Sequence, residues 1–208
     1  MTFIYQVIAA VASAIIAIIA TLGYGGVVVL MALESAGFAL PSEIIMPFAG
    51  YLALTGRFTL FGAAFAGALG CLLGSLGAYW VSVVRGRPWL ERYGRYVFFS
   101  KRDLALGDRA FARWGDVIIF AGRLMPVVRT YISFPAGIAR MNLLRFSWYT
   151  FVGSFIWTYL LAWIGLRLGA KWPSIRAVFE RFDWVIGLIL LGGIAWWVIR
   201  HFRTRDAE

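Results

Sequence analysis

An apolar stretch in the second half of the chain carries two arginines and a proline, and this combination restricts the folds that the chain can adopt. The stretch covers residues 115–140, with Pro126 between Arg123 and Arg129. An arginine at the centre of a lipid bilayer costs about 2.5 kcal/mol or more, so it indicates a functional site. The pattern therefore predicts a membrane protein with a charged site in its interior.

A second apolar stretch, residues 26–56, has a similar form and the opposite charge. It carries Glu34 and Glu43 among apolar neighbours. An acidic and a basic segment buried in one small chain predict a site near the membrane midplane that takes an anion and a proton.

Both stretches are interrupted, unlike a simple spanning helix. The acidic stretch breaks at Gly37 and at Pro41, and Ser42 is a favoured N-cap for a new helix. The basic stretch breaks at Pro126, and we assign a further break to Gly137. Two short helices around a break predict a re-entrant hairpin, which occurs at membrane depth only where protein or a wet cavity surrounds it.

The composition of the 208-residue chain is typical of a membrane protein. It is 62% hydrophobic, and its mean hydropathy is +0.79. The net charge of +10 comes from residues between apolar segments, which indicates membrane topology and no nucleic-acid partner. Cys71 is the one cysteine, so an internal disulfide is excluded, and we expect neither a cofactor nor a bound metal.

We predict an all-α, polytopic fold that forms one transmembrane domain over residues 1–208. The predicted spans cover residues 3–22, 58–84, 146–166 and 184–199, although 3–22 could instead lie at the interface. In the second span, Gly70 and Gly74 form a GxxxG pair, which predicts the close approach of another helix. Residues 85–114 are basic with interleaved aromatics, which predicts cytoplasmic amphipathic helices on an anionic leaflet; a solvated loop is the alternative.

The positions of the basic segments give the two hairpins opposite orientations. Residues 85–113 and the C-terminal tail are both basic and belong in the cytoplasm, yet two clear spans separate them. A third crossing at 117–136 would put the tail outside, so the basic hairpin must enter and leave on the cytoplasmic side. The acidic hairpin then opens to the other face. Two opposed hairpins, each followed by a span, form an inverted repeat with the substrate site where the tips meet.

Two motif blocks carry a family resemblance over about residues 20–170. The first is Glu34, Pro41-Ser42-Glu43 and Ala49-Gly50, and the second is Gly122, Arg123, Pro126, Arg129 and Ala136-Gly137. In this order they resemble the DedA family, also called the SNARE-associated or VTT-domain family. The resemblance implies that Glu34, Glu43, Arg123 and Arg129 are embedded in the membrane and needed for function, although some members have aspartate at the position of Glu43. It also implies similarity to bacterial transporters that return undecaprenyl phosphate to the cytoplasmic leaflet, and to more distant phospholipid scramblases.

The two arginines suit a phosphate monoester held away from water, because a guanidinium group is a rigid fork of donors that keeps its charge. We therefore assign Arg123 and Arg129 to a lipid phosphate, with Ser42 at a helix N-terminus as a further contact. Glu34 and Glu43 are expected to neutralise the arginines in the empty site and to carry a proton. A purely structural ion-pair network is the alternative, but such a network needs no proline beside each charge.

The function predicted from these residues is transport of a lipid phosphate, most concretely undecaprenyl phosphate, between the leaflets of a bacterial inner membrane, with the C-terminus in the cytoplasm. The expected partners are a polyprenyl phosphate or phospholipid, anionic membrane lipids and protons, and a homodimer is left open. The alternatives are a broader phospholipid scramblase, a proton-coupled ion or drug exporter, and a membrane-bound lipid-phosphate enzyme. The enzyme is disfavoured because the single histidine, His201, lies in the C-terminal tail and acidic metal ligands are not clustered.

Overall fold

The computed structural model describes residues 2–38, 40–86, 101–126 and 128–169, and these residues form helices and no strands. The all-α prediction is confirmed for them. The chain divides into two compact units, Met1–Arg167 and Leu168–Glu208, and the candidate site lies in the first. The helices are α1 (Thr2–Leu22), α2 (Tyr24–Ser35), α3 (Ser42–Leu54), α4 (Leu60–Val81), α5 (Lys101–Arg123), α6 (Val128–Tyr131), α7 (Ser133–Ile138) and α8 (Leu143–Leu168), with a π-helical turn at Ser82–Gly86 after α4.

Two of the described segments are long and apolar enough to cross a membrane. They are Leu60–Gly86 and Leu143–Leu168, which overlap the predicted spans at 58–84 and 146–166. α1 covers the predicted span at 3–22, for which a crossing stays a prediction. The predicted span at 184–199, the C-terminal tail and residues 87–100 of the predicted amphipathic segment lie outside the described residues.

α2 and α3 form a helical hairpin whose two outer ends lie together. Between the helices, Gly37 has a φ of +109°, a left-handed conformation that glycine adopts without a side-chain clash. At the other end, the Tyr24 ring stacks on Phe58 with the centroids 4.1 Å apart, and the Thr59 backbone N–H donates to the Tyr24 hydroxyl at 2.8 Å. The start of α2 thus lies beside the residues that follow α3, and we call this end the first mouth.

α4 lies against α2 because two glycines remove the side chains that would separate the helices. A Cβ atom at Gly70 would stand 2.4 Å from the Val28 carbonyl oxygen, and one at Gly74 would stand 2.0 Å from that of Ala32. Contacts this short do not occur between real atoms, so only glycine fits. The predicted close approach at the GxxxG pair is confirmed, and it fixes the half of α2 that carries Glu34.

The basic stretch forms a second hairpin, but its first arm begins earlier than predicted. α5 continues without interruption across residue 115, where we placed the boundary between the amphipathic segment and the hairpin. A glycine inside a helix costs only about 1 kcal/mol, so Gly115 does not end the helix. The chain turns at residues 124–126 and returns through α6 and α7.

The returning arm packs on the C-terminal end of α4. Gly137, which we expected at a break, lies inside α7, and its small size serves packing: a Cβ atom there would stand 2.5 Å from the Tyr79 carbonyl oxygen. The Tyr79 hydroxyl in turn donates to the Met141 carbonyl. Asp116, in the interior of α5, lies 3.8 Å from Arg145 at the start of α8, so the end of the returning arm lies beside this part of α5. We call this end the second mouth.

α8 leads from the second mouth back along α4 and α3. The Thr158 hydroxyl donates to the Ala64 carbonyl of α4 at 2.9 Å. A Cβ atom at Gly50 would stand 1.9 Å from the Ala162 carbonyl oxygen, so the α3 backbone touches that of α8. The two mouths thus lie at opposite ends of α4, whereas the entry of the hairpins into a membrane and the inverted repeat stay predictions.

Candidate functional site

The tips of the two hairpins meet in a buried ion pair. Arg129 of α6 donates from Nη2 to Oε2 of Glu34 at 2.6 Å, and the two side chains are 3% and 5% exposed. The Thr130 hydroxyl donates to Oε1 of the same carboxylate at 3.3 Å. Both oxygens of Glu34, at the end of α2, therefore accept from α6.

Arg123 belongs to the same cluster, but its partners are neutral. Its Nη1 donates to the Arg129 backbone carbonyl at 2.7 Å, and its Nη2 donates to the Ser133 hydroxyl at 2.8 Å. The side chain is 1% exposed. Arg123 thus ties the end of α5 to both helices of the returning arm, and within the described residues it has no acidic partner at ion-pair distance.

The local sequence brings Arg123 close to α8. Arg123 is the last residue of α5, and Pro126 follows in the turn, where a residue without a backbone N–H is tolerated. A Cβ atom at Gly153 of α8 would stand 2.8 Å from the Arg123 Cβ. The absence of a side chain at Gly153 therefore lets α8 cover the arginine.

Two further side chains surround the Arg129 guanidinium group. The Trp157 ring of α8 has its centroid 5.5 Å from Arg129 Cζ, within the range of a cation–π contact. Cys71 of α4 places its Sγ 3.8 Å from Arg129 Nη2. Helices α2, α4, α6 and α8 therefore all contribute to the environment of this one charge.

The cluster has more donors than the described residues satisfy, and Arg123 has no carboxylate at ion-pair distance among them. Arg123 Nε and Arg129 Nη1 are buried and have no hydrogen-bond partner there. An unpaired buried donor costs about 1–3 kcal/mol, and more when the group is charged. In the described part of the chain, Glu34 is the one carboxylate at ion-pair distance from either guanidinium group. Such a cluster can accept an anion.

The predicted site residues of the acidic stretch, apart from Glu34, lie in the connection between α2 and α3 or at the start of α3. Glu43 is half-buried in the first turn of α3 and acts electrostatically on Arg129, but among the described residues it forms no ion pair with either arginine. Ser42 is buried as the first residue of α3, and the N-cap position belongs to Pro41, whose backbone is still extended. The predicted N-cap role of Ser42 is therefore wrong by one residue. Gly37 lies with Pro41 in the connection between α2 and α3.

Several residues of the cluster were not predicted. Thr130 and Ser133 are polar residues in an apolar segment, and their need for buried partners is a signal that could have identified them. Trp157 and Cys71 gave no such signal, because their contact with Arg129 depends on tertiary packing. Within the described residues, no group of three or more histidine, cysteine, aspartate or glutamate side chains could hold a metal ion.

Comparison with known proteins gives one family match and several relatives of similar length. The family model of the VTT domain matches residues 40–167. "Uncharacterized membrane protein YkoX" of Bacillus subtilis is 36% identical over 171 residues, which cover 82% of this chain and 76% of the relative. "Undecaprenyl phosphate transporter A" of Bacillus subtilis is 31% identical over 192 residues, 92% of this chain and 95% of the relative. An "Alkaline phosphatase-like protein" of Lactococcus lactis is 30% identical over 201 residues, 92% and 94% of the two chains. No solved structure matches the chain.

Proposed function

Because this chain belongs to the VTT-domain family, also called the DedA family, we propose that it is a membrane transporter that moves a lipid phosphate between leaflets. The proposed substrate is undecaprenyl phosphate, since a relative that aligns with 92% of the chain is named as a transporter of this lipid. The observation that carries the proposal is the buried pair Arg123 and Arg129, which has unpaired donors and, within the described residues, one carboxylate at ion-pair distance.

A phosphate monoester complements this pair in both charge and shape. Its terminal oxygens accept from guanidinium forks in a planar, two-point geometry that a lysine ammonium group does not offer. Charge-assisted hydrogen bonds are stronger where water is excluded, and Arg123 and Arg129 are only 1% and 3% exposed. In this mechanism the headgroup enters between the hairpin tips while the polyprenyl tail stays in the lipid.

Glu34 gives the proposed mechanism a second ligand, the proton. Its carboxylate accepts from Arg129 Nη2, the donor for which a phosphate would compete. A bound phosphate would leave the carboxylate beside a second anion, which favours its protonation. Lipid binding and proton uptake then promote each other, and this coupling is reciprocal by linkage. Glu43 is the second carboxylate near Arg129, and it is proposed to assist Glu34 in proton uptake.

The proposed cellular location follows from the distribution of basic residues and from the membrane relatives. We place the protein in the bacterial cytoplasmic membrane with its C-terminus in the cytoplasm, where its basic segments meet anionic lipids. Relatives that are bacterial membrane proteins and the two apolar helices of spanning length support the membrane assignment. A homodimer is compatible with this proposal and is not required by it.

Lysine substitutions in the two arginines test the proposal, because they keep the charge and remove the fork. Full-length protein in proteoliposomes is assayed for movement of undecaprenyl phosphate from one leaflet to the other. Arg123→Lys and Arg129→Lys are expected to slow the movement about tenfold or more. Arg167→Lys is the matched control, since Arg167 also stacks on a tryptophan of α8, Trp163, but is exposed.

Three results would contradict the proposal or redirect it. Wild-type protein that moves no undecaprenyl phosphate, or lysine variants as fast as the wild type, would overturn it. Equal movement of phosphatidylglycerol would instead favour the broader scramblase. Release of inorganic phosphate from the lipid would favour an enzyme, which is the activity that the name of the Lactococcus lactis relative suggests.

A further inference from the structure

α8 carries two more buried donors that have no partner. Trp157 Nε1 and Thr150 Oγ1 are buried and form no hydrogen bond within the described residues. The other buried side-chain groups without a partner in this part of the chain are Arg123 Nε and Arg129 Nη1. In the described structure, these unpaired polar groups therefore belong to α8 and to the two arginines that it contacts.

Helix geometry puts Thr150 and Trp157 on the face of α8 that covers the arginines. Positions i, i+3 and i+7 recur on one side of a helix, and Thr150, Gly153 and Trp157 have this spacing. Gly153 is the point at which α8 touches the Arg123 side chain, and the Trp157 ring lies 5.5 Å from Arg129 Cζ. The two neutral donors therefore share a surface with the two charged ones.

Folding alone does not explain why these two residues are polar. A buried N–H or O–H without a partner is unfavourable, whereas an apolar side chain of the same shape is neutral or stabilising. Phenylalanine would keep an aromatic ring over Arg129, and valine would fill the volume of Thr150, which is 0% exposed. Both residues thus carry a polar group that no hydrogen bond within the described residues uses.

We propose that Trp157 and Thr150 donate hydrogen bonds to the phosphate oxygens of the bound lipid headgroup. This inference rests on the proposed function, since these donors are assigned to the same phosphate as Arg123 and Arg129. The guanidinium groups supply the charge, and the indole and hydroxyl groups add directed donors. Because a phosphate monoester has three terminal oxygens, it can use all four groups together.

Substitutions that keep the shape and remove the donor test this assignment. Binding of undecaprenyl phosphate to the purified full-length protein in detergent micelles is titrated, with undecaprenol as the neutral ligand. Trp157→Phe and Thr150→Val are expected to melt at the wild-type temperature or above it. They are expected to bind the phosphate about tenfold more weakly, with undecaprenol binding unchanged.

Two matched variants separate a lost donor from a lost shape. Trp163→Phe changes another tryptophan of α8, which is 41% exposed and stacks on Arg167, and it should bind like the wild type. Thr150→Ser keeps the hydroxyl and loses the methyl group, so it should bind within about twofold of the wild type. If Trp157→Phe does not fold, the comparison of Thr150→Ser with Thr150→Val decides the question.

The outcomes distinguish this inference from the proposed function. If the wild type binds no undecaprenyl phosphate, the proposed function fails and the inference fails with it. If the wild type binds the lipid, and Trp157→Phe and Thr150→Val both bind it as tightly as the wild type does, only the inference is overturned. Binding by Thr150→Ser as weak as that by Thr150→Val would also overturn it, because the methyl group and not the hydroxyl would then matter.

Discussion

Glu34 and Arg129 form the one buried ion pair among the described residues that joins the two hairpins, so their side chains serve structure and mechanism together. Removing one partner of a buried ion pair typically costs about 3–5 kcal/mol, since the other charge is left uncompensated. A substitution that merely deletes either side chain would therefore disturb folding and transport at once. An isosteric change that cannot titrate separates the two roles.

Glu34→Gln is such a change, because the amide keeps an oxygen that can accept from Arg129 Nη2. In the proposed mechanism, Glu34 takes up a proton as the phosphate takes its place at Arg129, so proton uptake and lipid binding promote each other. The glutamine variant cannot take up this proton. We expect its transport in proteoliposomes to lose the response to an imposed proton gradient that Glu34 gives the wild type.

Glu43→Gln provides the comparison within the same hairpin. Glu43 acts on Arg129 without an ion pair among the described residues, so its substitution should weaken the response to the proton gradient less than that of Glu34. An unchanged response in both glutamine variants would leave the carboxylates as structural counter-ions only.

At this scale the sequence predicts which charged residues form the site and that the glutamates neutralise the arginines, but not which glutamate pairs with which arginine. Glu34, Arg123 and Arg129 stand out because a charge in an apolar segment is costly. The choice of Glu34 over Glu43 as the partner of Arg129 depends on how the two hairpins are rotated against each other. This rotation is set by contacts between distant segments, such as those of Gly70 and Gly74 with α2.

At the scale of single elements, the end of α7 is unusual because a left-handed position is occupied by arginine. Arg140 has a φ of 51°, its N–H donates to the Gly137 carbonyl at 3.0 Å, and the Met141 N–H donates to the Ala136 carbonyl at 3.1 Å. This pair of bonds is a Schellman motif, in which glycine is preferred. Arg140→Gly should raise the stability by about 1 kcal/mol and the melting temperature by about 2–4 °C.

Arg140→Ala serves as the control for this prediction. It removes the charge as glycine does, but its Cβ atom keeps the steric penalty of the left-handed conformation. Thermal unfolding in detergent should therefore show no gain for alanine. A gain of equal size in both variants would mean that the charge, and not the backbone conformation, limits stability at this position.

The close contact between α2 and α4 predicts that a larger residue at Gly74 destabilises the protein. Gly74→Ala should destabilise the protein by about 1–3 kcal/mol, because its Cβ atom would stand 2.0 Å from the Ala32 carbonyl oxygen and would push α2 away. Gly77→Ala is the matched control on the same helix, since its Cβ atom would have no neighbour within 4 Å. Thermal unfolding measures both, and equal melting temperatures would contradict the packing argument.

Element boundaries could be predicted where local chemistry decides them and not where packing does. The connection at Gly37 and Pro41 and the turn at Pro126 follow from backbone preferences that single residues carry. Backbone preferences do not predict that α5 continues across Gly115 or that Gly137 lies inside a helix. A glycine can either break a helix or allow close contact with another helix. At Gly137 the contact with Tyr79 makes this choice.

At the scale of the whole described unit, α4 sets the distance between the two mouths. Its 22 residues span about 33 Å at 1.5 Å per residue, close to the thickness of the hydrocarbon core of a bilayer. The Tyr24–Phe58 stack lies at its start, and the contact between Tyr79 and Met141 lies near its end. The two hairpins open at opposite ends of α4 and touch at their tips, and their inverted arrangement across a membrane stays a prediction from charge and parity.

This arrangement predicts that the exposed residues Arg57 and Arg140 face opposite sides of the membrane. Arg57 follows α3 beside the first mouth, and Arg140 follows α7 beside the second. Single cysteines are introduced as Arg57→Cys or Arg140→Cys in a Cys71→Ser background, which removes the native thiol. An impermeant thiol reagent should label the cysteine at 57 in intact cells and the cysteine at 140 only in inverted vesicles, because Arg140 is placed in the cytoplasm. Labelling of both from the same side would contradict the opposed hairpins, whatever substrate the protein carries.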